Sequence, residues 1–188
     1  MVMAALRRLT LRARQFPACT RLVRNDSGGA AVEFALVAAP FLALLVALFE
    51  TGIVFLATRE LDEVAAQSSR YIMTGQAQTS NLSQAQFANY VCSNNPFSML
   101  ACSNLMISVQ SYASFAASST TTPTLTFNGN GNVTNAWPWS PGNAGDIVVV
   151  QLMYQWPIIL APLGFNLSNL SNGNRLLVST AVFKNEPY

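Results

Sequence analysis

The stretch that decides the fold runs from Gly28 to Gly75, "GGAAVEFALVAAPFLALLVALFETGIVFLATRELDEVAAQSSRYIMTG". No charged residue occurs from Phe34 to Phe49, and after Glu50 the apolar run resumes as "TGIVFLA". A bilayer is spanned by about 20 apolar residues, so Ala30 to Ala57 is long enough to cross one with some excess. As a helix that segment extends about 42 Å. The excess either tilts the helix or carries its far end out of the lipid. Pro40 removes one backbone donor and frees the carbonyl of Leu36, so a local kink is expected there. Membrane helices tolerate such a break when a neighbouring helix packs alongside. Beyond Ala57 the pattern becomes amphipathic. Leu61, Val64, Ala65 and Ile72 recur near a 3.6-residue period, with Ser68 in step. Arg59 is placed to pair with Glu63 one turn later, and Gly75 suits a C-cap. The expectation is one long helix over residues 29–75, transmembrane from about 30 to 57, whose second half packs on an exterior domain.

The charges are few and unevenly placed. The chain of 188 residues has a formal net charge of +2 and contains no histidine. That removes Ser-His-Asp triads, Cys-His pairs and histidine metal sites together. Arg7, Arg8, Arg12, Arg14, Arg21 and Arg24 all precede the first acid, Asp26. A basic head that abuts an apolar run is better read through the positive-inside rule than as a nucleic-acid site, and it puts the N-terminus in the cytoplasm. The apolar region is too long for a cleaved secretory signal, and no A-x-A site follows it. "RRLTL" stands too far upstream for a twin-arginine signal. Cys19 in "FPAC" lacks the apolar stretch that a lipoprotein signal needs, and no role is assigned to it. An uncleaved signal anchor accounts for all of this except Glu33. A carboxylate near the bilayer centre costs roughly 2.5–3.5 kcal/mol, so Glu33 calls for a function.

Residues 76–188 form the exterior domain. "LSQAQFANYVC" reads as a short helix with Ser83 near its N-cap. "LMISVQSY" alternates as a strand, and residues 113–143, rich in Ser, Thr, Asn, Gly and Pro, read as a long loop. "DIVVVQLMYQW" is the clearest strand. It places Val148, Val150, Leu152, Tyr154 and Trp156 on one face and Gln151 and Gln155 on the other, and Pro157 ends it. "RLLVSTAVF" is a second strong strand. An antiparallel sheet laid against the amphipathic half of the long helix buries both apolar faces, which makes the fold class α+β. Cys92 and Cys102 should pair if the domain faces an oxidising compartment; otherwise they are two reduced thiols.

The exterior domain is thinly equipped for chemistry. Asp146 and Glu186 are its only carboxylates, whereas general acid–base catalysis needs positioned titratable groups. Asp146 is expected to cap or flank its strand. "NGNGN" from Asn128 to Asn132 lacks the Lys-Ser/Thr of a phosphate loop and reads as a turn. Trp137, Trp139, Tyr154 and Trp156 can line a sugar-binding face, but such residues are more often core or interface. No cofactor, metal or catalytic residue is expected.

A basic leader, then Gly28, four residues, Glu33 and Phe34, then an apolar helix, resembles the G-x-x-x-x-E-F signature of type IV prepilins and their tight-adherence relatives. "AAVEFALVAAPFLALLVALFETG" is similar to the N-terminal segment of TadE-like pseudopilins, minor pilins of the Tad (Flp) type IVb pilus. "GDIVVVQLMYQWP", "LGFNLSNLSNGNRLLVSTAVFKNEPY" and the spacing of Cys92 and Cys102 resemble exterior domains of alphaproteobacterial members. The resemblance covers most of residues 28–188. It implies a leader, residues 1–28, removed by a prepilin peptidase between Gly28 and Gly29, with a cut after Gly29 as the second register. It also implies an inner-membrane protein whose C-terminal domain is periplasmic or carried into the extracellular pilus. Partners are then the peptidase, other pilin subunits and the assembly platform, with no nucleic acid. Glu33 and Phe34 are the residues for subunit register. Glu50 falls at the far membrane interface, and Gly52 beside it leaves room for helix–helix contact. Two other classes of function stay in view. One is a signal-anchored periplasmic domain that binds a glycan or surface; the other is a membrane-anchored enzyme.

Overall fold

Residues Gly29–Met73 form one continuous helix, α1, with Pro40 inside it. This is a computed structural model, and it describes residues 28–94, 99–129, 131–161 and 164–188. The basic leader, with its arginines and Cys19, lies outside the described residues. The helix stops where the sequence supplies a glycine. Gly75 adopts φ +75°, and its N–H donates to the Ile72 carbonyl at 2.9 Å. Only a residue without Cβ takes that conformation at little cost. The ring of Tyr188, from the C-terminal tail, also occupies the space a Cβ at Gly75 would need. The tail is held there by the Glu186 N–H, which donates to the Met73 carbonyl at 2.9 Å.

Two compact units divide the chain, one through Leu44 and one from Leu45 to Tyr188. The described part of the first unit is helix alone. Its Val32, Phe34, Leu36, Val37, Phe41, Leu42 and Leu44 are all exposed. The second unit carries the remaining elements. A short turn of helix, α2 (Gln76–Thr79), follows the glycine. Then comes α3 (Gln84–Ser93), opened by a capping box in which Ser83 and Gln86 satisfy each other's backbone N–H groups. Strands β1 (Leu105–Tyr112), β2 (Ile147–Pro157) and β3 (Asn174–Lys184) complete it. They form an antiparallel sheet in the order β1-β2-β3. Leu105 pairs with Tyr154 and Tyr112 with Ile147 in one ladder. In the other, Ile147 pairs with Lys184 and Pro157 with Asn174. The fold is α+β: a long N-terminal helix apolar enough to span a membrane, then a small three-stranded antiparallel sheet.

The buried stripe of α1 is Glu50, Val54, Ala57, Glu60, Leu61, Val64, Ala65, Ser68, Ser69 and Ile72. These positions recur every three or four residues, with adjacent pairs at 60/61, 64/65 and 68/69, as one broad helical face must. The stripe packs with Phe87 and Val91 of α3 and with one sheet face, where Ile107, Val109, Val148, Val150, Leu152, Tyr154 and Leu177 point inward. Burial of that many apolar side chains is the main stabilising term, at roughly 1.5–3 kcal/mol for each fully buried large one.

The opposite sheet face is also covered. Met106 and Met153 pack with Leu125 under Phe127, Val133 and Trp137 from the long β1–β2 connection. Gln151, on the face opposite the apolar one, is buried at 3% exposure. Its amide donates to the carbonyls of Thr120 and Thr121 at 3.2 and 3.4 Å. Gln151 therefore serves to hold an irregular cover, not to meet water. The same connection guards the edge of β1. The Val109 N–H donates to the Pro138 carbonyl, and the Ser140 N–H donates to the Val109 carbonyl, each at 2.9 Å. One local expectation fails: Arg59 pairs with Asp62 at 3.8 Å, not with Glu63, which accepts from Gln67 at 2.9 Å. Both Arg59 and Asp62 are substantially exposed, so the exchange is worth little.

Candidate functional site

The functional candidates fall into two groups on α1, and the helix positions both. At its start, Gly28 and Gly29 are exposed, and a Cβ on either would meet nothing within 4 Å. Glu33 and Phe34 follow on the exposed helix, with Phe34 74% exposed. Among the described residues Glu33 has no hydrogen-bonding or ionic partner. A carboxylate one turn into a helix is favoured by the macrodipole by typically 0.3–1 kcal/mol.

The second group is a pair of glutamates in the buried stripe. Glu50 is 9% exposed, and its Oε1 accepts the backbone N–H groups of Ile159 and Leu160 at 2.6 and 3.2 Å. These residues begin the connection that leaves β2. Its Oε2 is buried without a hydrogen-bond partner. Ten residues on, Glu60 is 1% exposed, and its Oε1 accepts the Met99 N–H at 3.3 Å. The chemistry is shared: a carboxylate on the helix accepts N–H groups from a non-helical segment and ties it down. Charge-assisted bonds of this type are worth roughly 1.5–3 kcal/mol. Glu50 stands in register with the buried stripe, because positions 50, 54, 57, 61, 64, 68 and 72 form one 3.6-period series; Glu60, next to Leu61 in the same stripe, is not singled out by that spacing. Gly52 is exposed, and a Cβ there would meet nothing within 4 Å.

Cys92 and Cys102 are disulfide-bonded, with Cα atoms 5.7 Å apart. The loop they close also contains Met99, so covalent and carboxylate ties hold one segment. In the chain-entropy picture a loop of this length contributes roughly 2.5–3 kcal/mol.

Trp137, Trp139, Tyr154 and Trp156 sit in or against the two cores. Trp139 packs on Phe87 with ring centroids 4.9 Å apart, and its indole N–H donates to the Leu82 carbonyl at 3.1 Å. Trp137 and Tyr154 also line an open cleft of about 610 Å³ with Asn104, Asn132, Gln155 and Asn174. That lining is uncharged, and the Tyr154 hydroxyl already accepts from the Ala101 N–H. Asp146 closes a turn ahead of β2, where its Oδ2 accepts the Asn143 N–H at 2.8 Å. Among the described residues no group of His, Cys, Asp or Glu is arranged to hold a metal ion.

No curated protein matches this chain, and no solved structure matches it. Residues 28–70, from the exposed glycine through most of α1, match the family described as TadE-like protein.

Proposed function

We propose that the protein is a minor pilin (pseudopilin) of a Tad pilus, inserted in the inner membrane by the first half of α1. One observation carries this reading. The helix packs on its own domain from Glu50 onward, while the part that begins G-x-x-x-x-E-F is apolar and exposed. That bare segment suits lipid before assembly and other subunits' helices after it. The match to the TadE-like family over residues 28–70 supports the pilus assignment. A structural role also fits an exterior domain whose few charged groups close turns and loops. Residues 1–28 are then a leader removed by the prepilin peptidase, and residues 76–188 face the periplasm.

Glu33 sets the register between subunits. Cleavage after Gly28 leaves an α-amino group on Gly29, one helical turn from Glu33. In a filament both charges enter a low-dielectric helix bundle, where an unpaired charge is costly. Pairing Glu33 of one subunit with the Gly29 amine of its neighbour removes that cost and fixes the axial offset. The test is the N-terminal sequence of protein recovered from membranes. Gly29 is the expected first residue. A start at Met1 identifies a signal anchor and overturns the pilin reading. The uncharged cleft at Trp137 and Tyr154 favours that second reading, a surface- or glycan-binding domain.

A further inference from the structure

The Glu50 clamp holds one of the most exposed apolar side chains in the protein. Ile159 is 79% exposed, while the following Leu160 is buried at 8%. The Ile159 N–H is bound to the Glu50 carboxylate at 2.6 Å, so the residue is fixed at the level of Glu50 on α1. The helix around that level is apolar and uncovered. Phe49, Ile53, Phe55 and Leu56 are 68%, 43%, 67% and 61% exposed. A lone exposed isoleucine needs no explanation, but here it stands level with an exposed apolar stretch of helix. Further along the same connection, Phe165 is 37% exposed.

Depth decides what covers this surface. Taking α1 as the membrane span, which is the proposed reading, the hydrocarbon starts near Ala30. A run of 20 residues, about 30 Å of helix, then ends at Glu50. The first charge beyond Glu50 is Arg59. Ile159 is therefore held at the boundary where acyl chains meet headgroups. Backbone N–H groups at that depth have little water to bind and need an acceptor from the protein. The Glu50 carboxylate supplies one for both Ile159 and Leu160.

We propose that the connection leaving β2 is a second membrane contact, in which Ile159 enters the outer leaflet and Glu50 positions it there. The domain is then held to the bilayer surface at two points, the helix and this loop, before it is drawn into an assembly. Glu50 acts as a positioning residue, through the two backbone N–H groups it accepts.

The test uses the full chain in vesicles of phosphatidylethanolamine and phosphatidylglycerol. Ile159, Leu48 or Thr180 is replaced, one at a time, by the photo-cross-linker p-benzoylphenylalanine, and adducts are identified by mass. Lipid adducts at positions 159 and 48, with none at the exposed β3 residue 180, are expected. Lipid at 48 but none at 159 overturns the loop contact and leaves the membrane span standing. Adducts from 159 to a second copy of the chain, without lipid, overturn it too and identify a subunit interface. No lipid at 48 shows that the span reading itself is wrong. Glu50→Ala should lower the lipid adducts at 159 and leave those at 48 unchanged. Glu50→Gln, which keeps an acceptor oxygen, should restore them. Equal loss in both variants would refute the positioning role of Glu50.

Discussion

Leu56 and Leu61 are the same residue five positions apart on one helix, and truncation should affect them very differently. Leu61 is fully buried in the seam between α1 and the sheet, whereas Leu56 is 61% exposed. Leu→Ala at a fully buried site costs about 2.7–5.0 kcal/mol, the spread reflecting how far the surroundings collapse. Around Leu61 the stripe neighbours Ala57, Val64 and Ala65 are small or stiff, so little collapse is available and about 3–4 kcal/mol is expected. Domains have only about 5–15 kcal/mol in total, so this is a large fraction. The assay is urea unfolding of the detergent-solubilised full chain, followed by tryptophan fluorescence. The three tryptophans, Trp137, Trp139 and Trp156, all report on the exterior domain. With a slope of about 2 kcal/mol per molar, Leu61→Ala should lower the midpoint by about 1.5–2 M. Leu56→Ala should leave it within error. Equal effects of the two substitutions would refute the packing register on which the whole α1–sheet seam rests.

Gly75→Ala should destabilise the exterior domain by about 1–2 kcal/mol from the positive φ alone. It should also release the C-terminal tail, because the Tyr188 ring stands where the new methyl would go; limited proteolysis from the C-terminus reads this out. Cys92→Ala should cost roughly 2.5–3 kcal/mol in thermal or urea unfolding, and unchanged stability would mean that the noncovalent ties of the loop, Glu60 and Tyr154 among them, suffice to hold it. Gln151→Ala removes the tie to Thr120 and Thr121, so protease cleavage within residues 113–125 should rise while the α1 seam stays intact. Resistance equal to the parent chain would show that Leu125 and its neighbours suffice to hold the cover.

The parts of the fold that could be read from the sequence were those with a clean period. The α1 stripe from Leu61 to Ile72, strand β1 and the apolar face of β2 all follow from spacing, because helix and strand put fixed offsets on one face. The N-cap at Ser83 and the glycine stop at Gly75 were legible for a related reason, since each satisfies a local backbone requirement. The 113–143 segment was not legible as a cover. Its contacts come from single residues, Leu125, Phe127, Val133 and Trp137, set in polar sequence without a period. The loop-tying role of the two buried glutamates was not legible for an electrostatic reason. A carboxylate in an apolar run invites an explanation from solvent or membrane, yet its buried partners are backbone N–H groups, which carry no sequence signature. The choice of Asp62 over Glu63 for Arg59 is a contest between i+3 and i+4 partners of nearly equal energy.

Glu33 and Glu50 share a helix and a chemistry, and the fold separates their consequences. Glu50 is answered within its own chain by Ile159 and Leu160. Its loss must therefore register first in this domain, as a freed loop. Glu33 lies in the first unit, on the exposed part of α1. Its loss should leave the urea midpoint of the exterior domain unchanged and, under the proposed function, membrane insertion and cleavage after Gly28 as well. In the proposed role, Glu33→Ala abolishes co-purification with other pilin subunits and surface adherence all the same. The alternative, a carboxylate merely placed at a helix start, is worth typically 0.3–1 kcal/mol and leaves assembly nearly intact. Protein level, processing and partner recovery measured on one preparation distinguish the two. If partners still co-purify with the Glu33→Ala chain and adherence survives, Glu33 is a helix-end residue and the register is set elsewhere.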